Sequence, residues 1–144
     1  MNHLEELIEL AKLEGENKNK VLILGEIDSE MATFLSEQSG ISLNNYKFSV
    51  DVYAIKHIIK NHGHSEIEKP KGQVAITDKD FELIIDILEN PDLVFYDGKN
   101  KLGKDVFQFQ KMIEDRYIVI KEVRTGKKQL ALNSMRIIKK NRHD

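Results

Sequence analysis

The sequence predicts an α+β domain in which N-terminal helices pack on a four-stranded antiparallel sheet. Three observations carry this expectation. Apolar residues recur at helical spacing up to Pro91, and from Leu93 onward the period falls to two. No helix-length segment separates the late strands, so they must follow one another as a meander. Helices first and strands last place the helices on one face of the sheet.

Each element has its own signal. Leu4, Leu7, Ile8 and Ala11 mark an amphipathic helix over residues 3–14, which the polar run GENKNK (15–20) breaks. VLILGEI (21–27) reads as a buried strand. Asp28 or Ser29 caps a helix that runs through Ser39 and stops at Gly40. Asp51 caps the segment DVYAIKHIIKNHG, with Gly63 as its terminator. Pro70 and Gly72 predict a loop from His64 to Gln73. Thr77 and Asp80 form a capping box, with Asp where Glu or Gln is usual, ahead of the stripe Phe81, Ile84, Ile85 and Leu88; Pro91 ends that helix. LVFYDG, DVFQFQKMI, RYIVIKEV and KQLALNSMRIIKK are the four strands, and RTGK is a tight-hairpin signal. The expected core is Val52, Ile55, Ile59, Phe81, Ile84, Ile85, Leu88, Val94, Ile118, Ile120 and Leu130.

The chain is 144 residues long, which is one domain's worth of core, and we take residues 1–144 as one domain with 1–20 as a helical N-terminal extension. A net charge of −2 gives no global basic field, so affinity for nucleic acid would have to come from a local patch. The last 24 residues supply one: Lys121, Arg124, Lys127, Lys128, Arg136, Lys139, Lys140 and Arg142 stand against only Glu122 and Asp144. The absence of cysteine removes disulfides, thiol nucleophiles and thiolate zinc sites. No run of eighteen apolar residues exists, and the acidic amphipathic start is unlike a signal peptide, so a cytoplasmic protein with no membrane partner is expected.

Three of the five histidines fall within AIKHIIKNHGH, residues 54–64. At 100° per residue, Val52, Ile55, Ile58 and Ile59 define an apolar face with His62 near its centre and His57 on roughly the opposite side. The plain reading makes His62 a half-buried residue near a helix C-terminus, where the dipole favours a cation. Two histidines five apart lack the geometry of a helical zinc pair, so no metal site is expected. Acid–base work is the third reading, since proton transfer near neutral pH favours histidine. Phosphoryl chemistry needs cations and hydroxyls as well, and EVRTGKK and LNSMRIIK supply Arg124, Thr125, Lys127, Lys128, Ser134 and Arg136. By themselves these would be ordinary gatekeepers of a solvated hairpin.

Taken together, YAIKHIIKNHG, GQVAITDKDFELIIDILENPD, YDGKNKLGKDV and RYIVIKEVRTGKKQLALNSM occur in an order and spacing that resembles the phage-associated nuclease domains of the barnase–EndoU–colicin–RelE-like group. The resemblance runs from about Val21 to Lys140. It implies a barnase/EndoU/RelE-like fold and endoribonuclease chemistry without a cofactor, in which the ribose 2′-hydroxyl attacks its neighbouring phosphate. The family's helix histidines fall at His57 and His62, and its late-strand basic and hydroxyl positions at Arg124, Thr125 and Ser134. Lys121, Lys127, Lys128 and Arg136 would bind substrate. RNA is the implied partner, with an inhibitor or immunity protein as a second, and a phage toxin or effector is the implied setting. Bases of single-stranded RNA would stack on Tyr96, Phe107, Phe109 or Tyr117 where exposed, although alternating strands favour a core role for these. The alternative is a non-catalytic RNA- or protein-binding module of the same fold.

Overall fold

The computed structural model describes residues 2–13 and 19–140. Most of the polar break expected at 15–20, and the cation Arg142, lie outside the described residues. The order is α1 (His3–Lys12), β1 (Val21–Glu26), α2 (Ser29–Ser39), β2 (Lys47–Asp51), α3 (Val52–His62), α4 (Ser65–Glu68), a 3₁₀ turn (Lys69–Lys71), β3 (Gln73–Val74), α5 (Asp78–Glu82), α6 (Ile84–Glu89), β4 (Leu93–Lys99), β5 (Asp105–Met112), β6 (Arg116–Arg124), a second 3₁₀ turn (Thr125–Lys127) and β7 (Gln129–Ile138).

The expected meander is present, because β4, β5, β6 and β7 pair antiparallel in sequence order. The sheet is nevertheless larger than four strands. It has seven, ordered β1-β2-β7-β6-β5-β4 with β3 also on β7, and it is mixed because β2 runs parallel to β7. KFSVD is short and runs straight into the Asp51 cap, so its strand signal is absorbed into that of the helix. Its alternation is clear in the fold: Phe48 and Val50 join the helical core, while Lys47 stays exposed. Nor is β1 buried. It is an edge strand on β2, with Val21 and Ile23 exposed and a bulge at Gly25.

The helices do share one face. Leu7 and Ile8 of α1, Leu35 of α2, Ile55 and Ile58 of α3, Phe81 of α5 and Ile87 of α6 pack with Phe107, Phe109, Val119, Leu130 and Met135 in one cluster. Ile118 and Ile120 sit instead with Val106 on the opposite face. The expected loop at 64–73 contains α4, the 3₁₀ turn and the start of β3. The expected single helix after Thr77 is two, meeting at Leu83, and the restart turns Ile85 outward and puts Ile87 in the core. The Thr77 cap forms: its amide donates to Asp80 Oδ2 at 2.7 Å. Asp80 also accepts from the Tyr117 hydroxyl at 2.6 Å, tying α5 to β6. Burial first, and then this carboxylate, push the Tyr117 pKa well up.

Candidate active site

The start of α3 lies at a junction of four segments. Asp51, the last residue of β2, accepts from Ala54 N–H at 2.8 Å and so fixes the first turn of the helix. The same carboxylate takes Arg124 Nη1 at 3.1 Å through its other oxygen. Arg124 Nε donates to Glu122 Oε2 at 3.1 Å, as expected of residues two apart on one strand face. Glu122 in turn accepts from Asn100 Nδ2 at 3.2 Å, and the Asn100 carboxamide accepts from the amides of Leu102 and Lys104, both at 3.0 Å. One hydrogen-bonded chain thus links the β4–β5 loop, β6, β2 and α3. Burial disfavours the Arg124 cation, but Glu122 and Asp51 outweigh that and raise its pKa.

Beneath this chain lies Lys121. It is wholly buried, with Nζ 2.6 Å from the Ser49 carbonyl and 5.7 Å from the Phe48 ring centre. Burial pulls its pKa well down, Asp51 works against that and Arg124 adds to it. A surface cation was expected here. The alternation of β6 instead points Lys121 at the helices, on the side of Val119 and Val123.

Two concavities meet at Arg124. The first, of about 370 Å³, has Asp51, Tyr53, His57, Leu102, Arg124 and Asn133 in its walls. His57 is exposed, one helical turn from Asn61, whose Nδ2 donates to the His57 carbonyl at 3.0 Å and lies 3.1 Å from ring Nδ1. Asn133 is the extra residue of a bulge, since Lys121 pairs with Leu132 and Ile120 with Ser134. The second, of about 350 Å³, lies between the β4–β5 loop and the Thr125–Lys127 turn.

The structure therefore brings His57 and Arg124 to one cleft, and places Thr125 and Lys127 in the cleft on Arg124's other side. His62 is elsewhere: Nδ1 is 2.7 Å from Oε1 of the buried Glu68, and its carbonyl accepts from Ile76 N–H at 2.7 Å. Ser134, opposite Ile120, and Arg136, opposite Ile118, line neither cleft. Lys128 takes the left-handed conformation that closes the hairpin (φ 51°), and its carbonyl accepts from Lys47 N–H at 3.1 Å. Among the described residues no three His, Asp or Glu side chains are grouped as a metal-ion set. Of the four aromatics considered for stacking, Phe107 and Phe109 are wholly buried, and the Tyr96 and Tyr117 hydroxyls are bound to Asp105 and Asp80. The aromatic in the cleft is Tyr53, 54% exposed.

Residues 22–144 match the family model described as phage-Barnase-EndoU-ColicinE5/D-RelE like nuclease3. The chain belongs to this phage-type nuclease family. No curated protein and no solved structure matches it. The matched span takes in α3, the β4–β5 loop and the β6–β7 hairpin, so every wall of the first cleft except Asn19 lies at or beyond Asp51 within it. A nuclease family points to a nucleic-acid substrate. Among the described residues no helix is long and apolar enough to cross a membrane.

Sequence reasoning missed Asp51, Glu122, Tyr53, Leu102 and Asn133 as neighbours of the site. Asp51 was legible only as a helix cap. Glu122 and Arg124 are two apart in KEVR, a spacing that puts both on one strand face. Nothing in the sequence pairs them with Asp51, because the β2–β7 contact that joins these regions is a parallel, long-range pairing.

Proposed function

We propose that this nuclease-family chain is an endoribonuclease that cleaves without a metal, by attack of a ribose 2′-hydroxyl on the adjacent phosphate. The observation that carries the reading is the shared cleft of His57 and Arg124. His57 withdraws the 2′-hydroxyl proton as the O–P bond forms, and a proton returns from the ring to the departing 5′-oxygen. The reaction is neutral in protons, so one ring serves both steps. Arg124 meets the charge that develops on the pentacoordinate phosphorus. Two of its five N–H groups are held by Asp51 and Glu122, which fix the guanidinium in place and leave the others for phosphate oxygens. That fixed geometry is preorganisation, and it suits a group whose work is electrostatic.

Purified protein incubated with total RNA in EDTA should cut it, leaving 2′,3′-cyclic phosphate and 5′-hydroxyl ends, and a 2′-deoxy substrate should resist. Loss of cleavage in EDTA, or equal cutting of DNA, replaces this mechanism with that of a metal nuclease. A second reading, a non-catalytic RNA- or protein-binding module, draws support from the withdrawal of His62 to Glu68, which leaves the cleft with one histidine. RNA binding without cleavage would favour it. A toxin or delivered effector in the cytoplasm, restrained by an inhibitor protein, is the setting we propose for the active enzyme.

A further inference from the structure

We infer that Lys121, which no substrate can touch, is a positioning residue of the cleft: it anchors the β2 backbone at Ser49 to β6, and so sets Asp51 where that carboxylate aims Arg124. The inference rests on the ribonuclease reading of the cleft, and it concerns a side chain that reading does not use.

Lys121 stands among apolar neighbours. The residues two before and two after it on β6, Val119 and Val123, belong to the core under the helices, and Lys121 itself is wholly buried. An apolar side chain of similar length would fill the same space without the cost of desolvating an amine. Stability therefore gives no reason for lysine there. What lysine adds is a donor, and among the described residues its one hydrogen bond goes to the Ser49 carbonyl, at 2.6 Å.

That bond joins strands that are not neighbours, since β7 lies between β2 and β6. Among the described residues, two side-chain bonds pass over β7 to join them: Lys121 to Ser49, and Arg124 to Asp51. Strand alternation puts the two on opposite faces of the sheet, Lys121 with Val119 on the helix side and Arg124 with Glu122 on the other. A tie on one face alone leaves the strands free to rock about it. Ties on both faces, three residues apart on β6 and two apart on β2, fix the angle as well as the distance.

The pairing around β7 needs that support. The β2–β7 ladder ends at Ser49, opposite Ala131, and β7 carries its extra residue, Asn133, beside Leu132, the partner of Lys121. A bulge loosens the ladder where it occurs. Asp51 thus lies beyond the last pairing of β2 with β7, next to a break in the pairing of β7 with β6. The charges agree with this placement. Burial depresses the Lys121 pKa most, and the two charges that act on it are Asp51 and Arg124, the ion pair being positioned.

The test is Lys121→Met, which keeps the length of the side chain and removes its donor. The urea midpoint at neutral pH should not fall below that of the wild type, while kcat for RNA cleavage drops about ten-fold with KM unchanged. In Asp51→Ser/Lys121→Met the loss should equal that of Asp51→Ser alone, because the aim of Arg124 is then already gone. A further readout needs no activity: exchange of the Arg124 Nε proton with water, followed by NMR, should quicken in Lys121→Met by as much as in Asp51→Ser. A Lys121→Met protein with full activity overturns the inference. So does a double variant slower than Asp51→Ser by the full factor of Lys121→Met, which would make the two effects independent. Should Lys121→Met not fold, Lys121→Leu is measured in its place; a chain that folds with neither shows Lys121 to serve stability, and that too overturns the inference. If the wild type cuts no RNA, the ribonuclease reading fails on its own. The anchor is then decided by the proton exchange, and a rate unchanged in Lys121→Met overturns it.

Discussion

At the start of α3, Asp51 divides its carboxylate between the helix amide of Ala54 and the Arg124 guanidinium, beside a cleft that opens to solvent. At the other end, His62 and Glu68 meet where the chain doubles back through α4, and Glu68 is wholly buried with Oε2 unpartnered. Both ends set a charged or chargeable pair against a helix terminus. The first leaves donors unspent and an exposed His57 nearby, and the second closes on itself. Residue type alone does not separate two histidines five positions apart; what separates them is whether their neighbours face water or each other.

Exchanging the roles of the two histidines gives the largest expected effect. His57→Ala should lower the cleavage rate about 10²–10⁴-fold, with the urea midpoint barely moved because the ring is exposed. His62→Ala should do the reverse. It strands a buried carboxyl and should cost about 2–3 kcal/mol of stability, while the rate at a temperature where the variant is folded stays within a few-fold. His62→Gln, which can still donate to Glu68, should recover part of that stability. If His62→Ala abolishes the rate with folding intact, the two ends have been assigned the wrong way round.

The helix that carries this contrast was legible in the sequence, and so was its polarity. The 100° step places His57 outward and His62 toward the core, which is where each is found. The four late strands were legible through their alternation and turn residues. Local pattern could not reveal what joins distant segments in parallel. Five residues, Lys47–Asp51, enter the sheet beside β7, and that insertion brings Asp51 to Arg124 at the candidate cleft. Lys121 illustrates the same limit. One position earlier or later it would face away from the helices, and only the register of β6 against β7 settles the side.

A smaller effect reads the buried lysine at the open end through pH. The Lys121 pKa in the fold lies below the 10.5 of an exposed lysine, chiefly through burial. Between those two values the unfolded chain binds more protons than the folded one, so stability rises as pH increases through that window. From pH 8 to 9.5 the wild type should gain stability relative to Lys121→Met. That interval lies below the range in which the raised pKa values of Tyr96 and Tyr117 would enter with the opposite sign. Urea titrations at three pH values measure the difference. Parallel pH profiles for the two proteins would show that Lys121 is solvated and paired in a way its burial contradicts.

The smallest effect, and the one that divides structure from chemistry at the open end, comes from Asp51. Serine is as good an N-cap as aspartate, so Asp51→Ser keeps an acceptor for Ala54 N–H, whereas Asp51→Ala removes it. Both variants take the same carboxylate away from Arg124, leaving only Glu122 to hold the guanidinium by Nε. The stability gap between them should therefore be the worth of the cap, about 1 kcal/mol, with the serine variant the more stable. Their rates should fall together, by about ten-fold, since a guanidinium held at one point is less well aimed at the phosphate. A serine variant with full activity would mean that Asp51 serves the helix alone and that Glu122 suffices to place Arg124. An alanine variant slower than the serine one by as much as it is less stable would mean that the helix start, and with it His57, is what Asp51 positions.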